Sequence, residues 1–220
     1  MTPLRKTSIV AGVIYLVTFA SVPTLSLYSS LREPNSLING GADTGVIIGC
    51  VLELIVGLAG IGTAVVLFPV LKKQNEAMAI GLVGSRILEA STIFGGVAFM
   101  LATITLRQSH HADEAVMTAF VTMYDKLFLV GQSLMPVIDD LLLGLLLYHS
   151  RLVPRTLSVI GIVGAPVLLG ADLAVVFGII GQRDPIAMLP AIPVALFEFG
   201  LGTWLIVKGF NEPVYSNSGH

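Results

Sequence analysis

Residues 44–70 read TGVIIGCVLELIVGLAGIGTAVVLFPV, an apolar stretch with one carboxylate side chain, Glu53, near its middle. About 20 mostly apolar residues are enough to cross the hydrocarbon core of a bilayer as a helix. The stretch is therefore predicted to be a transmembrane helix that carries an acid at membrane depth. Because an ionisable group in hydrocarbon is costly, it indicates a functional site by default.

The composition of the whole chain extends this prediction. Of its 220 residues, 55% are hydrophobic and 12% are charged, and the mean hydropathy is +0.89. These values lie far outside the balance of a soluble globular domain. We predict an all-α, polytopic membrane bundle of six transmembrane helices, at roughly 8–28, 44–70, 77–106, 117–148, 157–180 and 186–207.

The connections between these helices are short, which predicts a single transmembrane domain over residues 1–210 and a polar, disordered tail over residues 211–220. The first apolar run is longer than that of a signal peptide and lacks a clear cleavage motif, so it is predicted to be a helix. With both termini inside, seven Lys and Arg residues lie inside and three outside. This asymmetry favours an orientation with both the N-terminus and the C-terminus inside the cell.

Several classes of function are disfavoured. The net charge is −2 and basic residues do not interleave with aromatics, so no nucleic-acid partner is expected. Cys50 is the only cysteine, which excludes an intrachain disulfide. Asp139 and Asp140 form only half of an Asp-rich metal motif, and we predict neither a metal site nor a cofactor. A loop cluster that could bind zinc or copper, but is more often solvated, comprises His110, His111, Asp113 and Glu114.

In the second predicted helix, glycines share a face with Glu53. Gly49 and Gly57 flank it at a spacing of four, and Gly45 and Gly60 extend the row. Small residues at this spacing let helices approach closely in lipid, so Glu53 is predicted to face a neighbouring helix. It is either a protonated acid that donates a hydrogen bond to a backbone carbonyl there or a functional acid.

The third predicted helix places Arg86 and Glu89 three residues apart, where they can meet on one surface. Arginine stays charged at any accessible pH, so Arg86 needs an anionic or water-lined partner in hydrocarbon. Glu89 is the nearest candidate in the sequence. The pair is either a self-neutralising packing contact or part of a substrate site, and the sequence leaves both open.

Asp125, Gln132 and Asp139 recur every seven residues in the fourth predicted helix and are expected to line one face. A polar face of this length predicts a wet cavity, with a dry seam between helices as the alternative. Pro136 removes a backbone hydrogen bond and frees a carbonyl near Gln132. Asp140 points about 100° away from Asp139, toward another helix contact.

The last two predicted helices each place one acid on a face of small residues. Six acids in the predicted helices then face one base, Arg86. They cannot all be ionised in a low-dielectric interior, so either several hold protons or a cation lies among them. The residues predicted to bind a substrate are Glu53, Arg86, Glu89, Gln132, Asp139, Asp140, Asp172 and Glu198.

Two parts of the sequence resemble a known family. They are Arg86-Ile87-Leu88-Glu89-Ala90 and the pair LGLLLYHS (143–150) and VPRTL (153–157). With these motifs the chain is similar, over nearly its whole length, to the bacterial membrane family called domain of unknown function 4386. The resemblance implies a small, multi-pass helical protein of the cell membrane, in a bacterial inner membrane, without an established activity. It extends to Arg86, Glu89, Gly144, Pro154 and Arg155.

Three functions are compatible with these patterns. The first is binding or transport of a proton, cation or small basic solute, and it predicts a wet cavity that reaches the central acids. The second is an intramembrane acid–base enzyme acting on a lipid or isoprenoid, and it predicts an apolar tunnel open to lipid. The third is a non-catalytic membrane sensor or assembly partner. Expected partners are the lipid bilayer, a small solute, cation or lipid ligand, and a second copy of the chain.

Overall fold

The computed structural model describes residues 1–32, 43–109 and 113–211. In these ranges the chain is helical without strands, and six helical segments are long and apolar enough to cross a membrane. We call them the first to sixth spans: Pro3–Ser21, Asp43–Leu71, Glu76–Gln108, Glu114–Ser150, Arg155–Val176 and Pro185–Val207. The prediction of an all-α membrane protein with six spans is confirmed. The tail beyond residue 211 lies outside the described residues.

The first span begins and ends earlier than the sequence predicted. It comprises the helix Pro3–Val17 and the 3-10 turn Thr18–Ser21, instead of residues 8–28. Thr2 caps the helix by accepting a hydrogen bond from the Arg5 N–H, and Pro23 has no N–H with which to extend the helical ladder. Two short helical turns follow, at Thr24–Leu27 and Ser29–Arg32.

The fifth and sixth spans also differ from their predicted bounds. The fifth span ends at Val176 because Gly178 adopts φ 71°, a left-handed conformation that ends helices. The sixth span consists of a short helix, Pro185–Met188, and a long one, Ala191–Val207, and Pro190 separates them. Both breaks lie at the end of the molecule at which the first span also ends.

The fourth span is not one continuous α-helix. Helices Glu114–Phe128 and Met135–Ser150 are joined by a π-helical segment, Leu129–Leu134, in which the Met135 N–H bonds the carbonyl of Val130, five residues back. Such a segment places an extra residue in the turn and commonly occurs at functional sites. The seven-residue spacing of Asp125, Gln132 and Asp139 assumed a regular helix, so it no longer fixes which of them share a face.

The spans form a ring in sequence order. Each packs against the next, and the sixth packs against the first, which closes the ring. The first half of the fourth span packs on the third span, whereas its second half contacts both the third and the fifth. Polar side chains on the inner faces of all six spans can therefore meet in one interior.

Small residues set the closest approaches within the ring. A Cβ atom at Gly12 would lie 2.6 Å from the carbonyl oxygen of Gly202, so the first and sixth spans touch backbone to backbone. A Cβ atom at Gly144 would lie 3.2 Å from the carbonyl oxygen of Ser158, which joins the fourth and fifth spans in the same way. Helices that pack in lipid depend on such contacts because lipid offers no hydrophobic driving force.

The two ends of the ring are tied by different groups. At the end that we call proximal, Arg5 donates to the carbonyl oxygens of Leu205 at 3.0 Å and Ile206 at 2.6 Å. At the opposite, distal end, Asp125 accepts from Arg32 at 2.8 Å and also from Arg183. If the predicted orientation holds, the proximal end faces the cytoplasm.

A packed apolar core fills the proximal half of the ring. It contains buried side chains from five spans and from the turn after the fourth: Ala11, Tyr15, Ala64, Leu67, Leu71, Ala79, Leu82, Leu143, Leu146, Leu147, Leu152, Val153, Phe197, Leu201 and Leu205. This apolar core lies between the middle of the ring and its proximal end.

Candidate functional site

Arg86 lies at the centre of the ring and is 3% exposed. Its Nη1 donates to Glu89 Oε2 at 2.9 Å and its Nη2 to Glu198 Oε1 at 2.6 Å. Its Nε lies 3.5 Å from Asp139 Oδ2, and its Cζ lies 5.8 Å from the centre of the Tyr15 ring. One guanidinium thus joins the first, third, fourth and sixth spans.

The depth of Arg86 follows from its position in the third span. It lies ten residues after Glu76, where the span begins, which corresponds to about 15 Å of helix. Because the hydrocarbon core is about 30 Å thick, this places the guanidinium near the bilayer midplane. A charge at that depth is costly unless it is paired, and three carboxyl groups provide the pairing.

Asp139 is fully buried and meets the third span twice. Its Oδ1 accepts a hydrogen bond from the Ser85 hydroxyl, and its Oδ2 faces the Arg86 guanidinium. Ser85 and Arg86 are consecutive, so one turn of the third span provides both contacts. Asp139 is therefore oriented toward the third span, on the side of the fourth span that faces the ring interior.

Asp140 is fully buried as well, but neither of its oxygen atoms has a hydrogen-bond partner among the described residues. It lies close enough to Glu198 and Arg86 to interact with their charges. We call Arg86, Glu89, Asp139, Asp140 and Glu198 the central cluster. It holds four carboxyl groups and one guanidinium, so protons or a bound cation have to balance the remaining charge.

Glu53 belongs to a second group of residues. Its Oε1 accepts a hydrogen bond from the Tyr124 hydroxyl at 2.5 Å and lies 3.5 Å from Gln132 Nε2. Its Oε2 is buried and has no partner among the described residues. The predicted backbone carbonyl is therefore not its contact, because side chains of the fourth span fill that position.

Asp172 lies in a third place. It is 4% exposed, and its Oδ1 accepts a hydrogen bond from the Ser133 hydroxyl at 2.6 Å. Ser133 and Gln132 are both in the π-helical segment and diverge to the fifth and second spans, respectively. The segment thus links two buried acids that lie on different sides of the ring.

A cavity of about 200 Å³ leads from the distal end toward the central cluster. Near its mouth lie Thr18, Ser21 and Ala191, together with Val22, which is 62% exposed. Its floor includes Arg86, Glu89 and Glu198, and its walls come from every span except the third. Since the apolar core closes the proximal half, access to the cluster is from the distal end.

The eight predicted site residues therefore fall into three groups. Five form the central cluster, Glu53 and Gln132 form a second group, and Asp172 pairs with Ser133. Those that line the cavity are Arg86, Glu89, Gln132 and Glu198. Whether any of the eight binds a substrate stays a prediction.

Asp125 lies at the distal end of the fourth span, apart from the central cluster. Its carboxylate accepts hydrogen bonds from Arg32 and Arg183, and its backbone carbonyl accepts one from Gln182 Nε2 at 2.6 Å. These contacts fasten the loop between the fifth and sixth spans over the distal end of the fourth. Asp125 therefore has a role in anchoring the loop.

Sequence reasoning missed Tyr124 and Ser133, whose hydroxyl groups bond two of the buried acids. A tyrosine within a span needs a partner for its O–H when it is buried, and this requirement was the available signal. Ser133 gave no such signal, because serine in a helix usually bonds its own backbone. Its outward bond to Asp172 depends on the π-helical segment.

The described residues contain no group of three or more His, Cys, Asp or Glu side chains that could hold a metal ion. This includes Asp139 and Asp140, the pair that resembled half of a metal motif. His110 and His111 lie outside the described residues.

One comparison with known proteins identifies a family. The model of the family described as "Domain of unknown function (DUF4386)" matches residues 10–209. No curated protein and no solved structure matches the chain. The match covers most of the 220 residues, and the chain belongs to the DUF4386 family.

Proposed function

We propose that this member of the DUF4386 family binds a proton, cation or small basic solute at its central cluster and carries it across the membrane. The observation that carries the proposal is the distal cavity, whose floor presents two acids of a cluster with four carboxyl groups and one guanidinium. Arg86 balances the charge of one carboxylate, and each further carboxyl group of the cluster favours binding of a proton or a cation.

The Arg86 guanidinium does not turn the cavity into an anion site. Its Nη1 and Nη2 already donate to Glu89 and Glu198, and its Nε faces Asp139. An anion would have to displace one of these carboxylates near the bilayer midplane. The cluster therefore favours species that bring positive charge.

One-sided access suits a carrier that exposes its site to one membrane face at a time. The cavity reaches the cluster from the distal end, while packed apolar side chains close the proximal half. Passage through the protein then requires a second arrangement in which the proximal core opens. Such a change between two packed states is the usual form of alternating access.

The lipid enzyme has less support. It requires an apolar tunnel that opens sideways into the bilayer. Phe19, in the cavity wall, meets Phe199 edge to face with ring centres 5.6 Å apart, and this contact joins the first and sixth spans beside the cavity.

The test uses proteoliposomes that contain a pH-sensitive dye. A gradient of protons, sodium, potassium or guanidinium is imposed, and proton movement is followed in wild type, Glu198→Gln and Glu76→Gln. We expect at least one gradient to drive proton movement, slowed at least tenfold in Glu198→Gln and unchanged in Glu76→Gln, whose acid is exposed. Failure of every gradient to drive proton movement contradicts the proposal.

A further inference from the structure

From the shape and lining of the cavity we infer the class of its ligand, a monoamine with a short apolar body. Its ammonium group lies against Glu198 and Glu89 on the floor, and its apolar body fills the space toward Val22 and Ala191. The inference rests on the proposed function and names the substrate class of the same site.

The wall of the cavity is mostly apolar. The side chains between the mouth and the floor that have no polar atoms are Phe19, Val22, Val56, Pro136, Leu168, Ala191, Val194 and Ala195. A hydrated metal ion or a polyamine would lose its hydration against such a wall without gaining hydrogen bonds. A hydrocarbon body makes no hydrogen bonds to water, so it has none to lose against this wall.

The polar groups in the wall already have partners. Thr18 donates to the carbonyl of Tyr15 at 2.6 Å, and Ser133 donates to Asp172. Gln132 Nε2 is directed at Glu53, and Ser21 at the carbonyl of Thr18. Only the floor therefore offers unbalanced charge to a ligand.

The floor fits an ammonium group. Glu198 has a side chain that is 14% exposed, the most of the acids paired with Arg86, and Glu89 lies beside it on the same guanidinium. An ammonium has three donors and no acceptor, so it can bond both carboxyl groups at once. The same cluster also contains Asp140, which is fully buried and has no hydrogen-bond partner among the described residues.

The dimensions limit the apolar body. Ala191 at the mouth precedes Glu198 at the floor by seven residues, which is about 10 Å of helix. The volume of about 200 Å³ equals that of roughly six or seven water molecules. An alkyl chain of about six carbons with its ammonium group fills this space, whereas a much longer chain protrudes.

Amine binding is linked to proton release. A protonated carboxyl group of the cluster and R–NH₃⁺ become a carboxylate paired with R–NH₃⁺ and one proton in bulk solution. The net charge buried in the protein is the same before and after. Up to one proton is therefore released for each amine bound.

The experiment measures binding and proton release by calorimetry in a weak buffer, with the full chain in detergent. The probes are n-butylamine, n-hexylamine, n-decylamine, hexane-1,6-diamine and the neutral 1-hexanol. We expect hexylammonium to bind at least tenfold more tightly than the other amines. Butylammonium fills less of the cavity, decylammonium protrudes from it, and the second charge of hexane-1,6-diamine would lie against the apolar wall. Hexanol should release no protons.

Two variants separate the head of the ligand from its body. Glu198→Gln should weaken hexylammonium binding at least tenfold, while the control Glu76→Gln should not. Ala195→Leu narrows the cavity above the floor and should shift the preference from hexylammonium to butylammonium with proton release retained. If Glu198→Gln fails to fold, the shift in Ala195→Leu tests the inference independently.

Absence of a chain-length optimum, or an unchanged preference in Ala195→Leu, would overturn the inference. If amines fail in this way while Glu198-dependent proton movement with sodium or potassium persists, the proposed function stands and only the amine class is wrong. If both fail, neither stands.

Discussion

Arg86 is the residue on which the interior depends most. Its guanidinium is bonded to carboxyl groups from its own span and the sixth span and faces one from the fourth. Removing one partner of a buried ion pair is far more damaging than removing an exposed one, because the remaining charges lose their counter-ion. At this scale the structure makes predictions about single side chains.

Arg86→Met should lower the free energy of unfolding by about 3–5 kcal/mol, because the acids around it lose their only cation in the central cluster. Unfolding in mixed detergent micelles measures this change. Arg183→Met is the matched control, since Arg183 pairs with Asp125 at the surface and is worth less than about 1 kcal/mol. Equal losses in the two variants would contradict a central role for Arg86.

Asp140→Asn should change the free energy of unfolding by less than about 1 kcal/mol, because neither Asp140 oxygen has a hydrogen-bond partner among the described residues. Asp139→Asn, its neighbour and control, weakens the contact with Arg86 and should cost about 2 kcal/mol or more. Amine-linked proton release should nevertheless fall in Asp140→Asn. A large loss of stability in Asp140→Asn would show that this acid has a structural role.

At the scale of secondary structure, the π-helical segment decides which groups the fourth span presents. Residues Leu129–Leu134 direct Gln132 to Glu53 and Ser133 to Asp172, and Gly131 fits closely against Thr92 of the third span. A regular helix would present a different set of side chains to the same neighbours. The segment therefore couples the second, third and fifth spans.

Deleting Val130, an exposed residue of this segment, should convert it to α-helix and rotate the first half of the span by about 100°. Tyr124 would then move away from Glu53, which would lose its hydrogen-bond donor while still buried. We expect this loss to lower the free energy of unfolding by about 2 kcal/mol. Thermal unfolding measures the loss. Val130→Ala, which keeps the length, should behave as wild type, and equal stability of all three proteins would refute the role of the segment.

At the scale of the whole molecule, the ring has a distal end with a cavity and a proximal half filled by apolar side chains. Which membrane face receives the ligand depends on orientation. The excess of Lys and Arg in the predicted inside segments predicts that the proximal end faces the cytoplasm. The cavity would then open to the outside.

Single cysteines in a Cys50→Ala background test this orientation. A membrane-impermeant maleimide added to intact cells should label Val22→Cys at the cavity mouth. It should label Gln74→Cys, between the second and third spans at the proximal end, only after the membrane is permeabilised. The reverse pattern would show that the protein is inserted the other way round.

The all-α fold with six transmembrane helices could be predicted from the sequence because hydropathy is a local property. A stretch such as residues 44–70 needs a membrane whatever its neighbours are. The pairing of Arg86 with Glu89 could also be predicted, since three residues along a helix always bring side chains together. The end of the first span could not be predicted, because the apolar sequence continues past Pro23 whereas the span ends at Ser21.

The sequence by itself determined six membrane-spanning helices and the presence of more buried acids than bases. Only the tertiary structure decided how these acids are grouped, because the groups are formed by ring closure. Glu198 meets Arg86 from 112 residues away, and Tyr124 of the fourth span meets Glu53 of the second from 71 residues away. The π-helical segment also breaks the spacing on which the fourth-span prediction depended. Periodicity describes the faces of one helix, whereas a shared interior depends on how the helices pack.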